Sequence, residues 1–192
     1  MAKYDGSKKI KTAVFISGTG SNLKNLIIFS KQKNCPISIN LIISNKSNAK
    51  GLAYGDYFKI KKKVFNFSNK IFPEKKILSL LVTNKIRLIC LAGFMKILSK
   101  KFIYKFKGKI LNIHPSLLPK YKGLNTHARA LENQDKYSGC TVHFVNSKLD
   151  SGRIILQKKV KIFKNDNVKS LSKRVLKQEH KLYPAAIKKL FG

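Results

Sequence analysis

Residues 14–28 read Val-Phe-Ile-Ser-Gly-Thr-Gly-Ser-Asn-Leu-Lys-Asn-Leu-Ile-Ile, and this stretch decides the fold. Val14, Phe15 and Ile16 form a β-favouring apolar run that breaks into a Gly/Ser loop. From Leu23 onward the apolar positions return at helical spacing. Strand, glycine turn and helix in that order open a βαβ unit. Further along, residues 37–43 read as a second strand, 49–59 as a glycine-interrupted helix and 64–67 as a short third strand. Pro73-Glu74 starts a helix over 73–84, with Ile77, Leu78, Leu80 and Leu81 on its apolar face. Residues 88–92 are nearly all apolar, as in a parallel strand covered on both faces. A short helix over 99–106 precedes a strand over 110–113, and a loop with two prolines fills 115–123. A helix over 126–133, strands over 140–145 and 154–162, and a basic amphipathic helix over 168–191, broken at Pro184, complete the pattern. The fold class expected is α/β: an open, mostly parallel twisted sheet with helices on both faces.

Composition bounds the rest. A chain of 192 residues with 43% hydrophobic content supports a single domain with a sizeable core. No apolar run approaches the ~20 residues of a membrane helix. The N-terminal lysines and short apolar stretch lack a cleavage site, so a cytoplasmic location is expected. Cys35, Cys90 and Cys140 are far apart, without CxxC or Cys/His ligand spacing, and read as buried free thiols; no metal site is expected. The 41 basic residues against 8 acidic ones give a net charge of +33, which attracts polyanions. Only Arg87, Arg129, Arg153 and Arg174 are arginine, whereas nucleic-acid readers favour arginine for bidentate contacts. The lysines spread over every helix and loop, which reads as drift toward AT-rich codons more than as a selected RNA-binding surface. Acids are scarce enough that each one deserves a reason.

In an open parallel sheet, ligands collect at the carboxyl ends of the strands. Four polar loops fall there: residues 17–22, 93–96, 112–119 and 146–153. In the first, Gly18, Thr19, Gly20, Ser21 and Asn22 lead into a helix N-terminus, where glycines admit an anion close to free amides. A phosphate group fits, and so does a plain strand-to-helix turn; the pattern is neither GxGxxG nor GxxxxGK[ST]. In the third loop, Asn112 and His114 stand two apart on a strand and so project on one face. An amide donor beside an imidazole is what acyl transfer requires, one for the developing oxyanion and the other for a proton. Asp150, in an Asp-Ser-Gly setting, reads equally as a turn or as a carboxylate that takes a proton from an attacking amine. His127 reads as a cap or loop contact and His143 as a satisfied sheet residue.

The strings SGTGSNLKNLI, LAGFMKILS, LNIHPSLLPKYKGLNTHARALEN, GCTVHFVNSKLDSGRIILQ and QEHKLYP closely resemble the phosphoribosylglycinamide formyltransferases, in order from about Thr12 to Leu190. The resemblance implies a folate-dependent enzyme of purine biosynthesis and one-carbon metabolism. It would transfer a formyl group from 10-formyltetrahydrofolate to the amine of glycinamide ribonucleotide. It implies that Asn112, His114 and Asp150 are the catalytic trio, and that Gly18, Thr19, Gly20, Ser21 and Asn22 hold the ribonucleotide phosphate. Glu179 would contact the same substrate. Leu91, Phe94, Met95, Lys96, Ile97, Leu98 and Val145 would line the folate pocket. The phosphate-binding half would span about 1–100, and the folate and catalytic half about 88–192, of one domain.

The chain departs from the family's pattern at Lys96 and Asn125, which stand where arginine and histidine are usual, and Lys70 lies near the position of an arginine for the folate tail. Two relatives sharing the folate site remain as alternatives. Methionyl-tRNA formyltransferase carries a further C-terminal domain, for which no room is expected after Leu190. Formyltetrahydrofolate deformylase carries an extra N-terminal domain. A non-catalytic polyanion-binding protein is supported by charge alone.

Overall fold

The computed structural model describes residues 9–67 and 71–192; Lys70 lies outside the described residues. Among the described residues, seven strands are hydrogen-bonded in the order β3-β2-β1-β4-β5-β6-β7. They are β1 (Ile10–Ile16), β2 (Ile37–Ser44), β3 (Lys61–Val64), β4 (Leu88–Leu91), β5 (Lys109–His114), β6 (Tyr137–Phe144) and β7 (Ile154–Lys161). The flanking helices are α1 (Ser21–Ser30), α2 (Ala53–Tyr57), α3 (Ile71–Thr83), α4 (Lys100–Lys105), α5 (Thr126–Glu132) and α6 (Val168–Phe191). The chain forms two compact units, one running to Leu111 and taking in Ile187–Gly192, the other Asn112–Ala186.

In the first unit β1 pairs in parallel with both β2 and β4, and β2 with β3. Ala13, Val14, Phe15 and Ile16 are fully buried, the all-apolar signature of a parallel strand between covered faces. After β1 the chain turns one way to β2 and β3, while β4 lies on the other side of β1. The β1/β4 seam is therefore the topological switch point, where loops open a crevice for ligands. The loops after β1 and β4 are two of the four that the sequence marks.

Two elements of this unit differ from the sequence reading. The third strand is Lys61–Val64, not 64–67. Three lysines on a solvent-facing edge strand leave no apolar pattern to read, and lysine is what keeps such an edge from pairing further. Phe67, expected within the strand, is instead buried against the Phe94 ring, 5.5 Å between centroids. Residues 49–59 form a 3-10 turn, Lys50–Leu52, followed by α2, not one helix. Gly51 sets that break. A Cβ there would lie 2.7 Å from Ile16 Cδ1 and 2.9 Å from Gly20 Cα, so the backbone passes where no side chain fits.

In the second unit β6 and β7 are antiparallel, so the sheet is mixed. Their register runs from Tyr137↔Lys161 to Val142↔Leu156 and shifts between Val142 and His143. Such a bulge re-aims the side chain next to it, and here that side chain is His143. α6 is continuous through Pro184, contrary to the expected break. The proline forfeits one backbone bond, worth ~3 kcal/mol. Leu171, Val175, Leu182, Tyr183 and Ala186 are all buried along one stripe, and at ~1.5–3 kcal/mol for each large side chain this packing outweighs the loss.

Candidate active site

The strand register and the bulge bring the predicted trio together inside the second unit. Asn112 and His114 leave β5 on one face. Asp150 Oδ2 lies 3.4 Å from His114 Nδ1, and Asp150 Oδ1 lies 3.4 Å from Asn112 Nδ2. The side chains of His114 and Asp150 are only 6% and 7% exposed. His143, read from sequence as a plain sheet residue, belongs to the same cluster. Its Nε2 is 3.2 Å from Asn112 Nδ2 and 3.6 Å from Asp150 Oδ1. Its Nδ1 donates to the Phe144 carbonyl at 2.8 Å, so in the neutral ring Nε2 accepts from Asn112.

The loop after β5 closes the cluster with main-chain groups. The Tyr121 carbonyl accepts from His114 Nε2 at 2.8 Å, and the Gly123 amide donates to Asp150 Oδ2 at 2.9 Å. To point these groups inward the loop turns left-handed at Tyr121, Gly123 and Asn125, with φ of 55°, 80° and 57°. Asp150 is left-handed too, at φ 44°. For a residue with a Cβ this conformation costs ~1–2 kcal/mol, least for Asn and Asp, which is a reason for Asn125 and Asp150 to occupy two of the positions. The loop is tied down by Thr141, whose hydroxyl donates to the Ser116 carbonyl at 2.7 Å and accepts from Leu118 N at 3.2 Å.

Electrostatics follow from this packing. Burial lowers the His114 pKa below its ordinary value, outweighing the Tyr121 carbonyl and Asp150, which both favour the charged ring. Burial also works to raise the Asp150 carboxyl. A hydrogen bond from His143 in its protonated form first, then the Gly123 amide, with the charge of either imidazole when protonated, reverse it and hold the carboxyl below its ordinary value. With Nε2–H committed to Tyr121, neutral His114 turns a bare Nδ1 toward a carboxylate. That leaves a slot for one proton between two acceptors.

In the first unit, Gly20 caps α1 at φ 72°, with no side-chain cap on the helix amides. The Met95 amide donates to Ser17 Oγ at 2.7 Å, joining the loop after β1 to the loop after β4 across the switch point. Gly18 and Thr19 are exposed, Ser21 is half-buried, and Gly20 and Asn22 are buried. Of the residues expected around folate, Met95 and Ile97 are 61% and 57% exposed, unusual for apolar side chains, and Lys96 is exposed beside them. Leu91 and Leu98 are buried, and Phe94 packs edge-on against Phe15 at 5.4 Å, so these three are core as much as lining. Val145 is half-buried just past β6. A cavity of about 1300 Å³ in this unit, lined among others by Glu74, Leu78, Phe102 and Phe106, takes in none of the predicted binding residues.

Glu179 is buried on α6, close enough to Cys140 for its charge to add to burial in pushing that thiol up to about 12. All three cysteines are buried, and none forms a disulfide. His127, expected as a cap or loop contact, sits in the first turn of α5, with a buried Nδ1 that meets no hydrogen-bond partner among the described residues. Among the described residues no group of three or more His, Cys, Asp or Glu is arranged to hold a metal, and no helix is long and apolar enough to cross a membrane.

A mixed α/β sheet carrying an amide, an imidazole and a carboxylate around one proton slot defines a group-transfer enzyme that manages protons without a nucleophilic side chain. The profile of the formyl transferase family, "Formyl transferase", matches residues 10–187, and the chain belongs to that family. It is 48% identical over 181 residues to the phosphoribosylglycinamide formyltransferase of Haemophilus influenzae, covering 93% of this chain and 85% of that protein. It is 46% identical to the human trifunctional purine biosynthetic protein adenosine-3, of which it spans 18%. The crystal structure of phosphoribosylglycinamide formyltransferase from Brucella melitensis superposes with a TM-score of 0.90 at 44% identity, covering 95% of this chain and 96% of that one.

Proposed function

We propose that this enzyme transfers a formyl group from a folate donor, 10-formyltetrahydrofolate, to the amine of glycinamide ribonucleotide. The observation that carries the reading is the convergence of Asn112, His114 and Asp150, in a chain whose full-length relatives bear the name of that activity. The loops of the first unit are assigned to binding: 17–22 for the ribonucleotide phosphate, and 94–98 with exposed Met95 and Ile97 for the folate.

In the reaction the amine nitrogen bonds to the formyl carbon, the bond from that carbon to the folate nitrogen breaks, and one proton passes from amine to leaving nitrogen. The folate supplies an activated formyl carbon; the chain manages the charge. Asn112, steadied by one N–H on His143 Nε2, gives up its long 3.4 Å contact with Asp150 Oδ1 and turns the other N–H toward the oxygen of the tetrahedral adduct, and loss of one such donor lowers the rate by ~10²–10³. Neutral His114 and ionised Asp150 receive the amine proton into the slot between Nδ1 and Oδ2. The imidazolium so formed adds its charge to oxyanion stabilisation and then gives the proton to the departing nitrogen. Burial that keeps His114 neutral in the resting enzyme therefore suits it to be the acceptor.

The test is direct. Purified protein is mixed with 10-formyltetrahydrofolate and glycinamide ribonucleotide, and formation of free tetrahydrofolate is followed. Stoichiometric formylation of the ribonucleotide is expected. Formylation of charged initiator tRNA, with none of the ribonucleotide, refutes the acceptor.

A further inference from the structure

The left-handed Tyr121 is held in place from outside the trio. Its phenol donates to Asp135 Oδ2 at 2.8 Å, and its ring lies under the Arg129 guanidinium, 5.0 Å from the centroid. Asp135 also takes Lys120 Nζ on its other oxygen at 2.9 Å, so one carboxylate grips two consecutive residues of the loop. Asp135 is itself fixed at the end of α5, where its amide donates to the Ala130 carbonyl at 3.1 Å. Arg129 donates to the Lys122 carbonyl at 2.9 Å, pinning the loop on the far side of Tyr121. What this clamp presents inward is the Tyr121 carbonyl, the acceptor on His114 Nε2.

We propose that Asp135 and the Tyr121 phenol are positioning residues for the reaction, acting through the Tyr121 carbonyl to set the ring orientation and tautomer of His114. The inference rests on the functional reading above. A scarce acid spent on two loop residues beside the catalytic imidazole is otherwise an exposed-rim ion pair of little worth. A backbone conformation disfavoured for tyrosine persists only where its surroundings over-determine it, and here the carboxylate and the guanidinium do so. The Asp135 carboxyl is held low, first by the Lys120 bond, and the Tyr121 phenol is held high, first by burial. The pair is thus donor phenol to ionised carboxylate throughout the working range.

The test pairs Tyr121→Phe with Asp135→Ala. The first removes one oxygen and no net charge; the second removes the whole clamp. The groups facing His114 are Asp150, His143, Arg129 and His127, and Tyr121→Phe alters none of them. Loss of a hydrogen bond to a charged group corresponds to roughly a tenfold to hundredfold effect. The expected result for Tyr121→Phe is a kcat lower by about that factor with KM for both substrates within about twofold, and a larger fall for Asp135→Ala. Because the Tyr121 carbonyl favours charged His114, loosening it moves the His114 titration, followed by NMR of the ring, to lower pH. The acid limb of kcat/KM moves with it. If Asp135→Ala does not fold, Tyr121→Phe decides alone. An unchanged kcat with an unmoved His114 titration overturns the proposal, as does a rise in KM alone. The NMR arm needs no substrate, so a wild type inactive on the ribonucleotide sinks the functional reading without deciding this one.

Discussion

Thr141→Val removes three hydrogen bonds from beneath the loop after β5 while keeping the shape that β6 needs. Thr141 is fully buried, and Val matches its volume and β-branching. The lost bonds are those to the Ser116 carbonyl at 2.7 Å, from Leu118 N at 3.2 Å and from Gln157 Nε2 at 2.9 Å. Gln157 keeps its second acceptor, the Leu118 carbonyl at 2.7 Å, so its loss is partial. The Leu118 amide and the Ser116 carbonyl are left inside the protein without a partner. At ~1–3 kcal/mol for each stranded group the penalty is roughly 2–6 kcal/mol. The added buried methyl returns ~0.8 kcal/mol, leaving a net destabilisation of roughly 1–5 kcal/mol, or about 2–20 °C in Tm for a chain of this size. Urea unfolding followed by circular dichroism measures it: the midpoint falls with the slope unchanged. Because the same loop carries the Tyr121 carbonyl to His114, kcat falls more than KM rises. A variant within ~0.5 kcal/mol of wild type, the range of an ordinary surface substitution, refutes the claim that Thr141 anchors the loop.

Asp150→Asn keeps the Gly123 bond but cannot take a proton, so kcat drops by ~10²–10⁴ with the fold intact; near-wild-type turnover refutes its role. Gly152→Ala places a Cβ 1.7 Å from the Phe144 carbonyl oxygen, which forces the Asp150 loop outward. Turnover falls by ~10²-fold, the scale of a 1 Å misplacement at a reacting group, as steady-state kinetics would show. Asp166→Asn tests acid stability. The Arg174 guanidinium first, then Phe163 N and Ser170 Oγ, hold the Asp166 carboxyl below its usual range. Its contribution is therefore complete above the unfolded value of ~4 and fades as pH falls toward the folded one. Urea midpoints of wild type and variant should differ at pH 7 and converge toward pH 2.

Most of the first unit was legible because a covered parallel strand leaves an all-apolar run, as 88–92 does. The edge strand Lys61–Val64 was not, because both its faces meet water and nothing in its side chains needs to be apolar. Pro184 misled for a different reason: a local preference worth a few kcal/mol was set against tertiary packing that a window of sequence does not contain. At the site, the spacing of Asn112 and His114 on one strand was enough to pair them, and the family motif added Asp150. His143 entered through a bulge, whose register shift has no letter in the sequence. Gly123 and Tyr121 act through main-chain groups, which no residue type announces. Asp135 did carry a signal, as one of only eight acids, and a search for the partner of each would have found it.

Asn112, His114 and Asp150 come from one uninterrupted run, residues 112–150, within one compact unit. That contiguity makes the enzyme amenable to rewiring. New chain ends at the exposed turn around Lys33 and Asn34 would leave the spacing of the trio untouched, so a circular permutant opened there is the natural scaffold for splitting or tethering it. A single residue inserted within β6 ahead of His143, by contrast, would put the imidazole and its amide partner out of phase, however mild its chemistry.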